Sequence, residues 1–193
     1  MQTRTPHVSG PAAGFTLIEV MVVVGVIAVL SAITVMVMPV ALLSARADSG
    51  AAQVVSVLRV AREEAIAQRR NVRVAFNAPN QIVISRVEVP GVPGPGISVI
   101  KQAWLEGGLT FRLFGGIPDT PDAFGNAAAS SFGGAAAIAF TSSGEFVDEN
   151  GDPVNGTVFI GRVNEPLSAR AVSIFGPTAL VREWRWGGSR WTN

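Results

Sequence analysis

The chain has 193 residues, a net charge of +1, no cysteine and a single histidine, His7. Those counts exclude a disulfide scaffold, a thiolate metal site, and any His- or Cys-dependent triad or dyad beyond the N-terminal stretch. No two carboxylates show an acid–base spacing and nothing calls for a cofactor, so the composition points to a non-enzyme: one modest domain beside a strongly apolar segment.

The apolar segment comes first. Residues Gly14 to Leu43 read GFTLIEVMVVVGVIAVLSAITVMVMPVALL, and the 24 residues from Val20 to Leu43 carry no charge. As a helix that run is about 36 Å long, enough to cross a hydrocarbon core of about 30 Å. Arg4 and His7 precede it with no acid, which keeps the N-terminus cytoplasmic and sends the bulk of the chain outside; were the source a two-membrane bacterium, that outside would be the periplasm. A secretory signal fits poorly, because its apolar stretch is about 7 to 15 residues long, although Ala41-Leu42-Leu43-Ser44-Ala45 loosely imitates a cleavage site. A plain anchor explains the length but leaves Glu19 without a reason. A carboxylate inside such a helix costs about 2.5 to 3.5 kcal/mol at the bilayer centre and less near an interface, so it calls for a partner. Phe15 and Glu19 share a helix face, and the acid also meets the favourable end of the helix dipole. Pro39 predicts a kink or local melting within the segment.

Beyond it, Ala51, Val54, Leu58, Ala61 and Ala65 recur at helical spacing while Arg59, Arg62, Glu63 and Arg69 fall mostly on other faces. The reading is an amphipathic continuation over 44–70 that packs on the following domain. Strands are predicted next: Val72, Val74 and Phe76 alternate with Arg73 and Ala75, and a turn at Ala78-Pro79-Asn80 leads into Ile82-Val83-Ile84 as a hairpin. Further strands are predicted over 97–104, 109–114, 136–141, 157–162, 171–175 and 180–186. Many short strands without intervening helices make the fold class α+β, with a long N-terminal helix on an antiparallel sheet or sandwich. Three long breaker-rich loops lie at 90–96, 115–134 and 148–156.

Gly14-Phe15-Thr16-Leu17-Ile18-Glu19 resembles the processing motif of type IV prepilins and type II secretion pseudopilins. The resemblance implies a leader over 1–14, cleavage by a prepilin peptidase between Gly14 and Phe15, and N-methylation of Phe15. It implies a transmembrane assembly helix over 15–43, and a periplasmic β domain over 71–193 behind the amphipathic half. It further implies that Glu19 pairs with the N-terminal amine of a neighbouring subunit during filament assembly. Other pilins or pseudopilins, the peptidase and an inner-membrane assembly platform are the implied partners, and the inner membrane followed by a pilus or pseudopilus is the implied location. Ala61-Arg62-Glu63-Glu64-Ala65-Ile66, Phe140-Thr141-Ser142-Ser143-Gly144 and a strand pair around Gly176 are similar to the GspH/FimT branch.

Three further stretches carry residue types that chemistry could use. Gly91, Gly94 and Gly96 suggest a phosphate loop, but Pro93 and Pro95 interrupt it and no helix follows. Asp148, Asn150 and Asp152 alternate as calcium ligands do, yet counting from Asp148 the sixth position is Pro153 and the twelfth Phe159, where an EF-hand needs glycine and a bidentate acid. A solvated acidic turn and a calcium loop are the two readings. At the C-terminal end, Arg182, Arg185 and Arg190 interleave with Trp184, Trp186 and Trp191. Arginine can meet phosphate while indole stacks on bases, and some FimT-like minor pilins bind DNA during uptake through such a region. The other reading is an edge strand whose tryptophans pack on the sheet or on a neighbouring pilin.

Overall fold

The computed structural model describes residues 14–88 and 96–193; Arg4, His7, Gly91 and Gly94 lie outside the described residues. The chain divides between Ala41 and Leu42 into two compact units.

One helix, α1, runs from Leu17 to Gln68. Its first part, Leu17–Val35, has a mean hydropathy of 2.6, and every side chain in it is exposed. Helical structure continues through Pro39 without the melting that the sequence suggested. Thr34 returns its hydroxyl to the Leu30 carbonyl (2.9 Å), so one polar side chain of the apolar run is satisfied within the helix itself.

In the second unit the helix is one layer of a core. Ala47, Ala51, Val54, Leu58, Ala61 and Ala65 are all buried, which realises the predicted apolar stripe. Four of the six are alanines, so the helix axis can sit close to the strands beneath. Gly50 marks the tightest approach, since a side chain there would overlap Leu109 and press on Ile160. The helix ends at Gln68 because Arg69 adopts φ = 53°. Arg70 N–H then reaches back to the Ala65 carbonyl (3.1 Å) and Arg69 N–H to that of Ile66 (3.3 Å), a Schellman closure.

Among the described residues eleven strands follow: β1 (Val72–Asn77), β2 (Gln81–Val87), β3 (Ile97–Trp104), β4 (Leu109–Phe111), β5 (Ser130–Ser131), β6 (Ile138–Phe140), β7 (Phe146–Val147), β8 (Gly156–Arg162), β9 (Glu165–Phe175), β10 (Leu180–Trp186) and β11 (Trp191–Thr192). They build a five-stranded sheet in the order β3-β2-β1-β6-β7 and a six-stranded sheet in the order β11-β10-β9-β8-β4, with β5 also paired to β8. Every pairing is antiparallel. The α+β class and the long helix on antiparallel sheets are therefore as the sequence implied. Two predicted strands are shorter than expected, at 109–111 and 138–140. One is longer: β9 begins at Glu165, not Ala171, because the two residues Val163 and Asn164, the latter at φ = 62°, turn β8 directly into β9.

The main core joins the helix stripe to Val72, Val74, Ile82, Ile84, Phe140, Phe146, Ile160 and Ile174, so both sheets pack beneath one helix. A second cluster covers the opposite face of the larger sheet, with Phe159, Ala169, Ala171, Trp186 and Trp191 as its centre and Leu113, Phe114 and Ile117 packed against it. As a result β8 and the middle of β9 are buried on both faces.

Candidate functional site

The N-terminal motif is built around one helix start. Thr16 precedes the first helical residue, and its Oγ1 accepts a hydrogen bond from the Glu19 N–H (3.2 Å) while its carbonyl accepts that of Val20 (3.2 Å). This is the Thr half of a capping box, S/T-x-x-E, whose sequence signature is Thr16-Leu17-Ile18-Glu19. The Phe15 ring is 83% exposed and Glu19 is exposed. Among the described residues nothing engages the Glu19 carboxylate, which leaves it available to a group from outside the chain. Gly14 lies outside the helix and is exposed.

The arginine and tryptophan side chains at the C-terminal end separate into two sets. Trp186 and Trp191 are buried against each other, edge to face at 5.3 Å, and Trp191 also packs on Phe159 at 6.1 Å. The Trp191 indole N–H donates to the Pro118 carbonyl (2.8 Å), which pins the loop after β4. Trp184 is half-buried and donates to Ser173 Oγ (3.0 Å) and Asp122 Oδ2 (3.2 Å). Neither Trp186 nor Trp191 presents a face on which a base could stack, because the second core uses both; the sheet-packing reading describes them. Arg182, Arg185 and Arg190 are exposed. Arg182 is paired with Asp122 at 2.7 Å, and Arg185 donates to Ser44 Oγ at 2.6 Å.

Asp148, Asn150 and Asp152 form a closed turn. Asp148 Oδ1 accepts the N–H groups of Asn150 (2.8 Å) and Asp152 (3.0 Å), and Gly151 supplies the left-handed residue at φ = 89°. The Asp152 backbone bond, with the Asn150 bonds behind it, holds the Asp148 carboxyl below its usual range. Glu149 Oε2 caps the Ala136 and Ala137 N–H groups, and backbone hydrogen bonds lower its pKa as well. The Asp148 and Glu149 carboxylates are thus engaged by backbone amides. Among the described residues no three His, Cys, Asp or Glu side chains gather as a metal-binding group.

One site was missed by the sequence reading. Arg170, at the inner part of β9, is only 2% exposed, and its guanidinium donates to Asp48 Oδ1 (2.6 Å), the Leu167 and Ala169 carbonyls (3.2 and 2.9 Å) and Ser44 (3.1 Å to Oγ). Every nitrogen of the fork has a partner, and the fork ties β9 to the helix. A strand predicted to begin at Ala171 leaves Arg170 in a loop, so nothing marked it for burial.

Residues 11–35 match the prokaryotic N-terminal methylation motif, and residues 50–178 match the family described as type II transport protein GspH, two thirds of the chain. The chain belongs to the GspH family. Among solved structures, the GspH-family chain is similar to the minor pseudopilin EpsH from the type 2 secretion system of Vibrio cholerae, with 16% identity and a TM-score of 0.48 over 74% of this chain and 98% of that one. It is also similar to the type IV minor pilin FimU of Pseudomonas aeruginosa strain PAO1, with 18% identity and a TM-score of 0.46 over 76% and 92%. No curated protein matches it. The GspH match spans the helix from Gly50 to Gln68 and strands β1 to β9, so Asp48 lies just before it and Arg170 within it, whereas Gly14, Phe15 and Glu19 fall in the methylation motif.

Proposed function

We propose that this GspH-family chain is a minor pilin or pseudopilin, cut by a prepilin peptidase between Gly14 and Phe15, methylated on Phe15, and built into a filament through its N-terminal helix. The observation that carries the reading is the Glu19 carboxylate. It stands exposed in the first turn of an apolar helix of membrane length, four residues after Phe15, while its own backbone N–H is already satisfied by Thr16. Cleavage would create an amine one turn away from Glu19, and the same amine on a neighbouring subunit is a cation of the right size to pair with that acid. Pairing takes both charges out of the apolar surroundings together, and losing one partner of such a pair costs about 3 to 5 kcal/mol.

The expected result for Glu19→Ala is a processed, membrane-inserted protein that no longer co-purifies with filaments. Mass spectrometry of the mature N-terminus runs beside it and should give a methylated Phe15. Normal incorporation of Glu19→Ala into filaments would sink the pairing role, and an uncleaved N-terminus would sink the processing step.

A further inference from the structure

The end of the β domain nearest Leu42 carries a mixed basic and apolar surface that neither core uses. Its position follows from contacts on either side of the helix. Asp48 meets Arg170 and Arg185, while one turn after another further along, Leu58 and Arg62 line the same cavity as Thr178 to Val181. The helix and β9 therefore run in the same direction, and β9 residues before Arg170 continue toward the Leu42 end. There the β8–β9 turn places Val163, 50% exposed, and β9 places Leu167, 57% exposed. The β10–β11 turn joins them, since Gly188 comes against the Leu167 side chain. On the other side of the helix the Arg46 stem packs over Gly107 and the Arg162 guanidinium over Gly108.

Charge at this end is unequal. Arg46, Arg162, Arg170, Arg185 and Arg190 face three acids: Asp48, Glu106 and Glu165. Asp48 is committed to Arg170 and Arg185, and Glu165 to Arg162 at 3.3 Å. Arg46 and Arg190 form no ion pair among the described residues. Exposed apolar side chains among arginines suit the boundary between headgroups and acyl chains, where the apolar part leaves water and the guanidinium stays at phosphate level.

We propose that this end of the domain docks on the anionic phospholipid headgroups of the bilayer that holds the helix, with Arg46 and Arg190 meeting phosphate and Val163 and Leu167 entering the interface. The inference rests on the membrane-anchored reading above. It assigns the Leu42 end a second membrane contact that holds the domain against the lipid before the subunit is withdrawn into a filament.

The chain contains no cysteine, so single labels can be placed cleanly in the full-length protein. Leu167→Cys, Ser142→Cys and Val29→Cys, each carrying a spin label, are reconstituted in nanodiscs of phosphatidylcholine alone or of phosphatidylcholine with phosphatidylglycerol. Accessibility to an aqueous nickel chelate is then measured. At position 167 it should fall in the anionic discs only, recover with salt, and shift back roughly fivefold for each arginine lost in Arg46→Gln and Arg190→Gln. Position 142, at the far end of the domain, should not respond. A lipid-shielded label at 29 with equal exposure at 167 in both discs overturns the docking and leaves the membrane reading standing. A water-exposed label at 29 overturns the membrane reading, and the docking with it.

Discussion

Arg170 is where a single side chain decides how helix and sheet are joined. Its charge is fully buried and every donor is used, so the arrangement is stable only while its acceptors stay in place. Asp48→Ala leaves the guanidinium with main-chain carbonyls and Ser44 alone. We expect a loss of about 1.5 kcal/mol, at the low end for a bond to a charged group because Asp48 is half exposed, measured as a lower urea midpoint. Arg170→Met in the Asp48→Ala background should recover part of that loss, since it removes the unpaired charge while filling the space. At Glu19 the division is different: the Thr16 hydroxyl takes the backbone and leaves the carboxylate for another chain. Residues such as Glu19, Gly14 and Phe15 were legible because their meaning is local. Arg170 was not, because its carboxylate partner lies 122 residues away and its neighbours give no periodic signal.

Among the elements, the helix from 44 to 68 shows why its face could be read in advance. A buried stripe repeats every three or four residues, and Ala51, Val54, Leu58, Ala61 and Ala65 are all in the core. β1 and the first half of β2 were legible for the same reason, since their burial alternates, whereas β8 and the middle of β9 are buried on both faces and show no alternation. Two-residue pairings such as β5, β7 and β11 carry no period at all, and only the partner strand defines them. The Schellman closure yields a stability prediction. Arg69 holds a left-handed conformation that costs a side-chain-bearing residue about 1 kcal/mol relative to glycine. Arg69→Gly should therefore raise stability by about that amount, read as a higher melting temperature with an unchanged far-ultraviolet spectrum; a lower one would show that the exposed Arg69 side chain contributes more than its backbone costs.

The whole molecule should lose stability in acid. Glu88 is held below its usual range first by its hydrogen bond from Arg86 and then by Ser98, and Asp148 and Glu149 by backbone amides. For each, the folded pKa lies below the unfolded one, so the unfolded chain binds more protons in between. The contribution is complete above the ordinary carboxylate values of about 4 to 4.5 and disappears as pH falls through the folded values. A urea midpoint that declines below about pH 4.5, with a shallower decline in Asp148→Asn, is the expected outcome. At this scale the C-terminal tryptophans were the least legible feature. Their alternation with arginine marks a strand, but that Trp191 closes a second core over Phe159 and Pro118 depends on chain folded back from 73 residues earlier. That late closure has a cost in time. During synthesis at about 5 to 20 residues per second, Trp191 follows Phe159 by about 2 to 6 s. For that interval the outer face of β8 lacks its tryptophan cover, and whatever guards the nascent chain must shield that one surface.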